Sequence, residues 1–142
     1  MRLREGGEVS VECTPGLPAV KLGQRHMVQV MVNLLLNAAD AVEAVLPARR
    51  VRIAVSARPV EHGVRIQVDD NGPGIPEDIL RQLFQPFFTT KPPGKGTGLG
   101  LALSRDYVVR VGGTLHAENH SEGGARFVLF LPRVDVAVPL LA

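Results

Sequence analysis

The chain of 142 residues has no tryptophan and a single cysteine, Cys13. One thiol closes no internal disulfide, so the fold must be held by its core, and the composition suits a reducing compartment; a cytoplasmic location is expected. Aromatic residues make up only 4%, and no basic run exceeds Arg49-Arg50. That excludes a nucleic-acid surface built from stacking platforms and charge. The longest apolar run, around Leu34 to Leu36, is too short to span a bilayer, and no signal peptide is visible, so no direct membrane contact is expected. Lysine is scarce too, with three against 13 arginines, and two of the three, Lys91 and Lys95, fall between Gly72 and Gly100 with six glycines and five prolines. With 45% apolar and 21% charged residues and a net charge of +2, the rest describes one ordinary globular domain, expected to be monomeric when isolated.

Periodicity supplies the elements. Glu8 to Cys13 alternates as a half-buried strand, with Val9, Val11 and Cys13 on the apolar side. From about Gln24 to Val45 no glycine or proline interrupts a helical spacing, which must end before Pro47. Two alternating runs, Val51 to Arg58 and Val64 to Asp69, predict paired strands joined around Pro59 to Gly63. A short helix near Glu77 to Phe84, a helix from Leu99 to Val111 closed by Gly112-Gly113, and strands Thr114 to Glu118 and Arg126 to Leu131 complete the order. The expected fold is α+β, a two-layer sandwich with a mixed sheet of about five strands covered on one face by about three helices. The segment Gln85 to Gly98 exceeds an ordinary connection, and long loops in compact domains are commonly lids or binding loops.

Three places concentrate chemistry. On the long helix, His26, Gln29, Asn33, Asn37 and Asp40 fall within about 80° of one another, opposite Met27, Met31, Leu34, Leu35, Ala38, Val42 and Val45. A solvated stripe explains polar residues, but asparagine is a poor helix former, and neutral amide oxygens suit a hard cation already shared with phosphate. In Asp69-Asp70-Asn71-Gly72-Pro73-Gly74-Ile75, strand parity turns Asp70 inward and Asp69 outward. An inward carboxylate needs a donor, for which the exocyclic amine of adenine is one candidate; the plain alternative is an Asp-Asn-Gly turn. Finally, Gly96-Thr97-Gly98-Leu99-Gly100-Leu101 runs into a helix, where backbone N–H groups and the helix dipole bind phosphate, with Lys91 and Lys95 adding charge. A flexible linker is the rival reading. The segment is neither a Walker A loop nor a Rossmann turn.

Taken in order, these segments resemble the ATP-binding catalytic domain of bacterial sensor histidine kinases. Gln29 to Ala38 is similar to that family's N box, Asp70-Asn71-Gly72-Pro73-Gly74 to its G1 box, Leu83-Phe84-Gln85-Pro86-Phe87-Phe88 to its F box, and Gly96 to Leu101 to its G2 box. The resemblance implies a Bergerat-type fold over residues 1–133, with 134–142 an apolar tail or linker. It implies ATP and magnesium as ligands, with magnesium on Asn37, adenine N6 on Asp70, and Gln85 to Gly98 as a lid based on Phe84, Phe87 and Phe88. The nucleotide-binding set it implies is Asn33, Asn37, Asp40, Asp70, Gly72, Gly74, Ile75, Thr90, Lys91, Lys95, Gly96, Thr97, Gly98, Leu99, Gly100 and Leu101. No catalytic residue is assigned within the chain.

Asn33 stands where related gyrase-like, mismatch-repair and chaperone ATPases carry a water-activating glutamate, which favours phosphoryl transfer to a protein over hydrolysis. Two departures accompany the match. Asp40 stands where many histidine kinases have a basic residue that contacts phosphate. Ala125 stands where the superfamily often has a threonine that assists the adenine-binding aspartate. The four histidines precede Met27, Gly63, Ala117 and Ser121, not an acidic residue, so none fits a phosphoacceptor. His26 reads as an ordinary helix residue near the site, and His62, His116 and His120 as loop or strand surface. The expected partner is therefore a histidine-bearing helical hairpin domain, in the same protein or in trans, with a response regulator downstream in two-component signalling. A stand-alone serine kinase acting on a sigma factor, or a non-catalytic ATP-binding module, are the alternatives.

Overall fold

The computed structural model describes residues 7–44, 50–89 and 98–135. Its elements are β1 (Glu8–Cys13), α1 (Gln24–Glu43), β2 (Arg52–Val60), β3 (Gly63–Asp70), α2 (Glu77–Leu80), α3 (Gly100–Arg110), β4 (Thr114–Asn119) and β5 (Ala125–Pro132). The five strands form one sheet in the order β1-β2-β3-β5-β4, parallel between β1 and β2 and antiparallel elsewhere. This is the expected α+β sandwich with a mixed sheet.

Strand alternation puts Ile53 and Val55 of β2, Val64 and Val68 of β3, and Phe127, Leu129 and Leu131 of β5 on the face that meets the helices. From the other layer come Val30, Leu34, Ala38 and Val42 of α1 and Val108 of α3, each fully buried. The helical wheel misses Val30, which lies at the border of the apolar arc yet is enclosed, whereas Leu36 is exposed within the polar stripe as the wheel places it. Helix α1 has Gly23 at its N-cap and no side-chain cap, so packing of this arc holds it, as is usual for helices in proteins.

Strand β1 departs from expectation. Val9 packs against the core, but Val11 is 65% exposed and Cys13 is exposed, because α1 lies over β2 and β3 and α3 over β4, leaving the C-terminal half of the edge strand uncovered. The β2 and β3 strands run further than their alternation suggests, through Pro59 and Val60 to Gly63, with Glu61 and His62 as a two-residue turn and His62 at φ 67°. The helix expected over Glu77 to Phe84 is only Glu77–Leu80, continued by turns. Beyond β5, Arg133 N–H donates to the His62 carbonyl and Val134 N–H to that of Ala19. Residues 136–142 of the expected tail lie outside the described residues, as does Val45.

Candidate functional site

Helix α1 links the described parts of the chemical segments: Gly72, just past the C-terminal end of β3, lies beside Ala41 and Val42, and Asn33 bonds to the start of α3. Asp70 is the last residue of β3 and only 4% exposed, while its neighbour Asp69 points to the opposite face. There Arg126 of β5 holds Asp69 with two hydrogen bonds, Nε to Oδ1 at 2.8 Å and Nη2 to Oδ2 at 3.3 Å, which neutralises one of the two adjacent carboxylates. Among the described residues no arginine or lysine pairs with Asp70. Its Oδ1 accepts from the Gly72 N–H at 2.8 Å and the Ala125 N–H at 3.2 Å, and no described residue donates to Oδ2. Burial pushes the Asp70 carboxyl above its usual range, against the pull of those two N–H groups and of the nearby His120.

The loop after Asp70 is pinned at both ends by asparagine amides. Asn71 Oδ1 accepts from Arg52 N–H and its Nδ2 donates to the Arg50 carbonyl, both at 2.8 Å, which ties the loop to the start of β2. Asn119, at the end of β4, does the same for Ile75: its Oδ1 accepts from the Ile75 N–H at 2.7 Å and its Nδ2 donates to the Ile75 carbonyl at 2.8 Å. Gly74 lies between them at φ +83°, where a Cβ would stand 2.9 Å from Asn119 Oδ1, so this turn requires glycine. Gly72 is buried against Ala41 and Val42 of α1.

Asn33 and Asn37, one turn apart on α1, have different surroundings. Asn33 Nδ2 donates to the Gly100 carbonyl at 3.2 Å and to Ser104 Oγ at 3.1 Å, so it clamps α1 to the first turn of α3. Ser104 is fully buried by this contact. Asn37, one turn on, is half-buried and its side chain makes no hydrogen bond with a described residue; Asp40 is exposed. Helix α3 begins after Leu99 with no side-chain cap and no acidic residue in its first turn, which leaves its positive end without a competing carboxylate. Leu101 packs against the core. At the N-terminal end of α1 and toward the C-terminal end of α3, His26 stacks on Tyr107 with ring centroids 4.1 Å apart, a contact between helices away from the start of α3.

The two flanks of the expected lid touch: Phe87 N–H donates to the Gly98 carbonyl at 2.9 Å, with Gly98 at φ +72°. Of the three phenylalanines expected to anchor its base, Phe84 does so, edge-on to Phe127 at 6.3 Å with Arg105 over its ring. Phe88 is half-buried, but Phe87 is 75% exposed at φ 66°, a strained conformation for a bulky residue, so it joins the lid base through its backbone N–H and not through its ring. Thr90, Lys91, Lys95, Gly96 and Thr97 lie outside the described residues.

Sequence reasoning missed the contribution of the β4–β5 turn. Ala125 supplies a donor to Asp70 directly through its backbone, which needs no threonine hydroxyl. His120, read from sequence as surface, is half-buried with Nε2 2.8 Å from the Asp70 carbonyl oxygen. Such contacts depend on which residues a turn lays over β3, and local pattern carries no signal of that.

Residues 23–135 match the family model described as histidine kinase-, DNA gyrase B- and HSP90-like ATPase. The chain belongs to this ATPase family. Among proteins similar to it, the two-component sensor PprA of Pseudomonas aeruginosa is 44% identical over 135 residues, covering 92% of this chain and 14% of PprA. The catalytic domain of histidine kinase ThkA superposes with a TM-score of 0.76 at 30% identity, covering 90% of this chain and 81% of that one. ThkA in complex with the response regulator TrrA gives 0.71 at 27% identity, over 89% of this chain and 34% of that one. Full-length ShkA in complex with AMPPNP gives 0.76 at 28% identity, over 95% and 27%. This ATPase domain thus spans a small part of the sensor kinases it matches, and ATP binding follows from its family. No helix among its described residues is long and apolar enough to cross a membrane.

Proposed function

We propose that residues 1–133 form a kinase domain that binds magnesium-ATP between α1 and α3 and hands its γ-phosphoryl group to a histidine on a separate helical hairpin domain. The observation that carries the nucleotide assignment is Asp70: a buried carboxylate with one oxygen saturated by two backbone N–H groups and the other open to a donor such as adenine N6. Gly72, Gly74 and Ile75 would line the base. Gly98, Leu99, Gly100 and Leu101, with Gly96 and Thr97, would offer backbone N–H groups to the phosphates, and Thr90, Lys91 and Lys95 would close over them.

The residues present fit magnesium as an ion shared with phosphate. Among the described residues no three His, Cys, Asp or Glu side chains gather, so a cation would depend on the half-buried Asn37 amide oxygen and on the nucleotide's own oxygens. Bound there, it would neutralise charge on the β- and γ-phosphates. Asn33 holds α3 in place and carries no carboxylate with which to deprotonate water, which supports transfer over hydrolysis. In the transfer, the γ-phosphorus bond to the bridging oxygen breaks as a bond to an imidazole nitrogen forms; ADP leaves and the imidazole surrenders its proton to solvent. A response regulator would then take the phosphoryl group from that histidine.

The test incubates this chain with γ-labelled ATP, magnesium and purified histidine-bearing hairpin domains. Acid-labile label on a hairpin is expected. Acid-stable label would identify a serine kinase, and ATP binding without label on any hairpin would identify a non-catalytic module; either result overturns the reading.

A further inference from the structure

We propose that His120 is a positioning residue that fixes the adenine-binding geometry of Asp70 from behind. It rests on the reading of Asp70 as the adenine acceptor. The β3–β5 ladder stops at Asp69 paired with Arg126, one residue short of Asp70, so on this side the regular sheet does not hold the critical residue. The β4–β5 turn replaces the missing rung. His120 and Gly124 close the turn, with His120 N–H donating to the Gly124 carbonyl at 2.9 Å and Gly123 N–H to that of His120 at 3.0 Å. From that frame Ala125 N–H reaches the Asp70 carboxylate while the His120 ring reaches the Asp70 backbone carbonyl.

The ring chemistry is determined by its partners. A carbonyl oxygen only accepts, so the proton at 2.8 Å is on His120 Nε2. Nδ1 is then the acceptor, and the Glu122 N–H donates to it at 3.2 Å. With these two contacts the ring bridges the turn to the strand end. Any Cβ at position 124 would collide with the Asp70 carbonyl oxygen and lie 2.7 Å from His120 Nε2, so the turn is fitted closely around this contact. Holding the Asp70 carbonyl orients the peptide plane that leads into Asn71 and Gly72. The Gly72 N–H in turn orients Oδ1, and hence the direction in which Oδ2 faces the base.

Three variants of this chain separate the possibilities: His120→Ala, which removes the donor; His120→Gln, whose amide nitrogen can reach the position of Nε2; and Asp70→Asn as a reference. ATP and GTP affinities are measured for each, with thermal melting to establish folding. His120→Ala is expected to weaken ATP binding roughly three- to tenfold and to narrow the ATP/GTP ratio, and His120→Gln to restore most of that ratio. A folded His120→Ala with the native ratio overturns the proposal, as does a His120→Gln no better than His120→Ala. If Asp70→Asn loses adenine preference while His120→Ala keeps it, the His120 proposal alone falls. If Asp70→Asn leaves the preference unchanged, the adenine assignment falls and His120 with it. Should His120→Ala not fold, His120→Leu keeps the bulk without the donor and takes its place.

Discussion

Replacing Asp70 by asparagine turns one acceptor oxygen into a donor and removes the carboxylate charge at almost unchanged size. Oδ1 of the amide still accepts from Gly72 and Ala125, at the positions where the carboxylate accepts at 2.8 and 3.2 Å, so the loop keeps its anchor. The second oxygen becomes an NH2 that faces the exocyclic amine of adenine, donor against donor. Losing a hydrogen bond to a charged acceptor in a buried place costs about 1.5 to 3 kcal/mol, roughly ten- to a hundredfold in ATP affinity. Guanine carries a carbonyl at the corresponding ring position, so the ATP/GTP ratio should fall by more than the ATP affinity does.

Stability should move the other way. Burial raises the Asp70 pKa, so its stabilising contribution is fully present below the unfolded value and is lost as pH rises through the folded one. At neutral pH the ionised carboxylate is a burden on the fold that the neutral amide lacks, and Asp70→Asn should melt at or above the wild-type temperature. Wild-type ATP affinity should decline on acidification at a higher pH than an ordinary aspartate would give, and that decline should vanish in Asp70→Asn. Isothermal titration across pH with parallel thermal melts reads both quantities. A folded Asp70→Asn with unchanged ATP affinity and preference over GTP would refute the assignment.

Two further substitutions probe separate parts of the site. Asn37→Ala should abolish the magnesium dependence of nucleotide binding, measured by titration with and without EDTA, while leaving the melting temperature close to wild type because the Asn37 side chain bonds to no described residue; persistent magnesium dependence would remove it from the metal site. Asn119→Ala releases both hydrogen bonds to Ile75, at 2.7 and 2.8 Å, and should cost about 1 to 3 kcal/mol of stability and show faster amide exchange at Ile75, with unaltered exchange pointing to another restraint on the loop.

Much of this was legible before any coordinate. Alternation locates each strand to within two residues, the largest miss being the end of β2, where Pro59 and Val60 extend it past the reach of β1, since proline reads locally as a breaker. Parity alone separated Asp70 from Asp69, because successive strand residues point to opposite faces whatever the rest of the fold does. Val11 was misjudged for the complementary reason: alternation says which side is apolar, not whether a helix covers it. The F-box resemblance groups Phe87 with Phe84, yet a left-handed backbone turns its ring to solvent.

The sequence by itself determined the α+β order of elements, the inward aspartate, the two asparagines on one side of a helix and the glycines bordering a loop. These follow from short-range periods and from the intrinsic preferences of residue types. Only the tertiary structure decided that Asn33 is engaged as a clamp on α3 while Asn37 keeps its amide without a described partner, because that depends on how two helices approach one another at residues 67 apart in the chain. The same holds for the β4–β5 turn, where His120 and Ala125 reach Asp70 across 50 and 55 residues. Contacts of that separation arise from sheet order and register, and no local pattern encodes them.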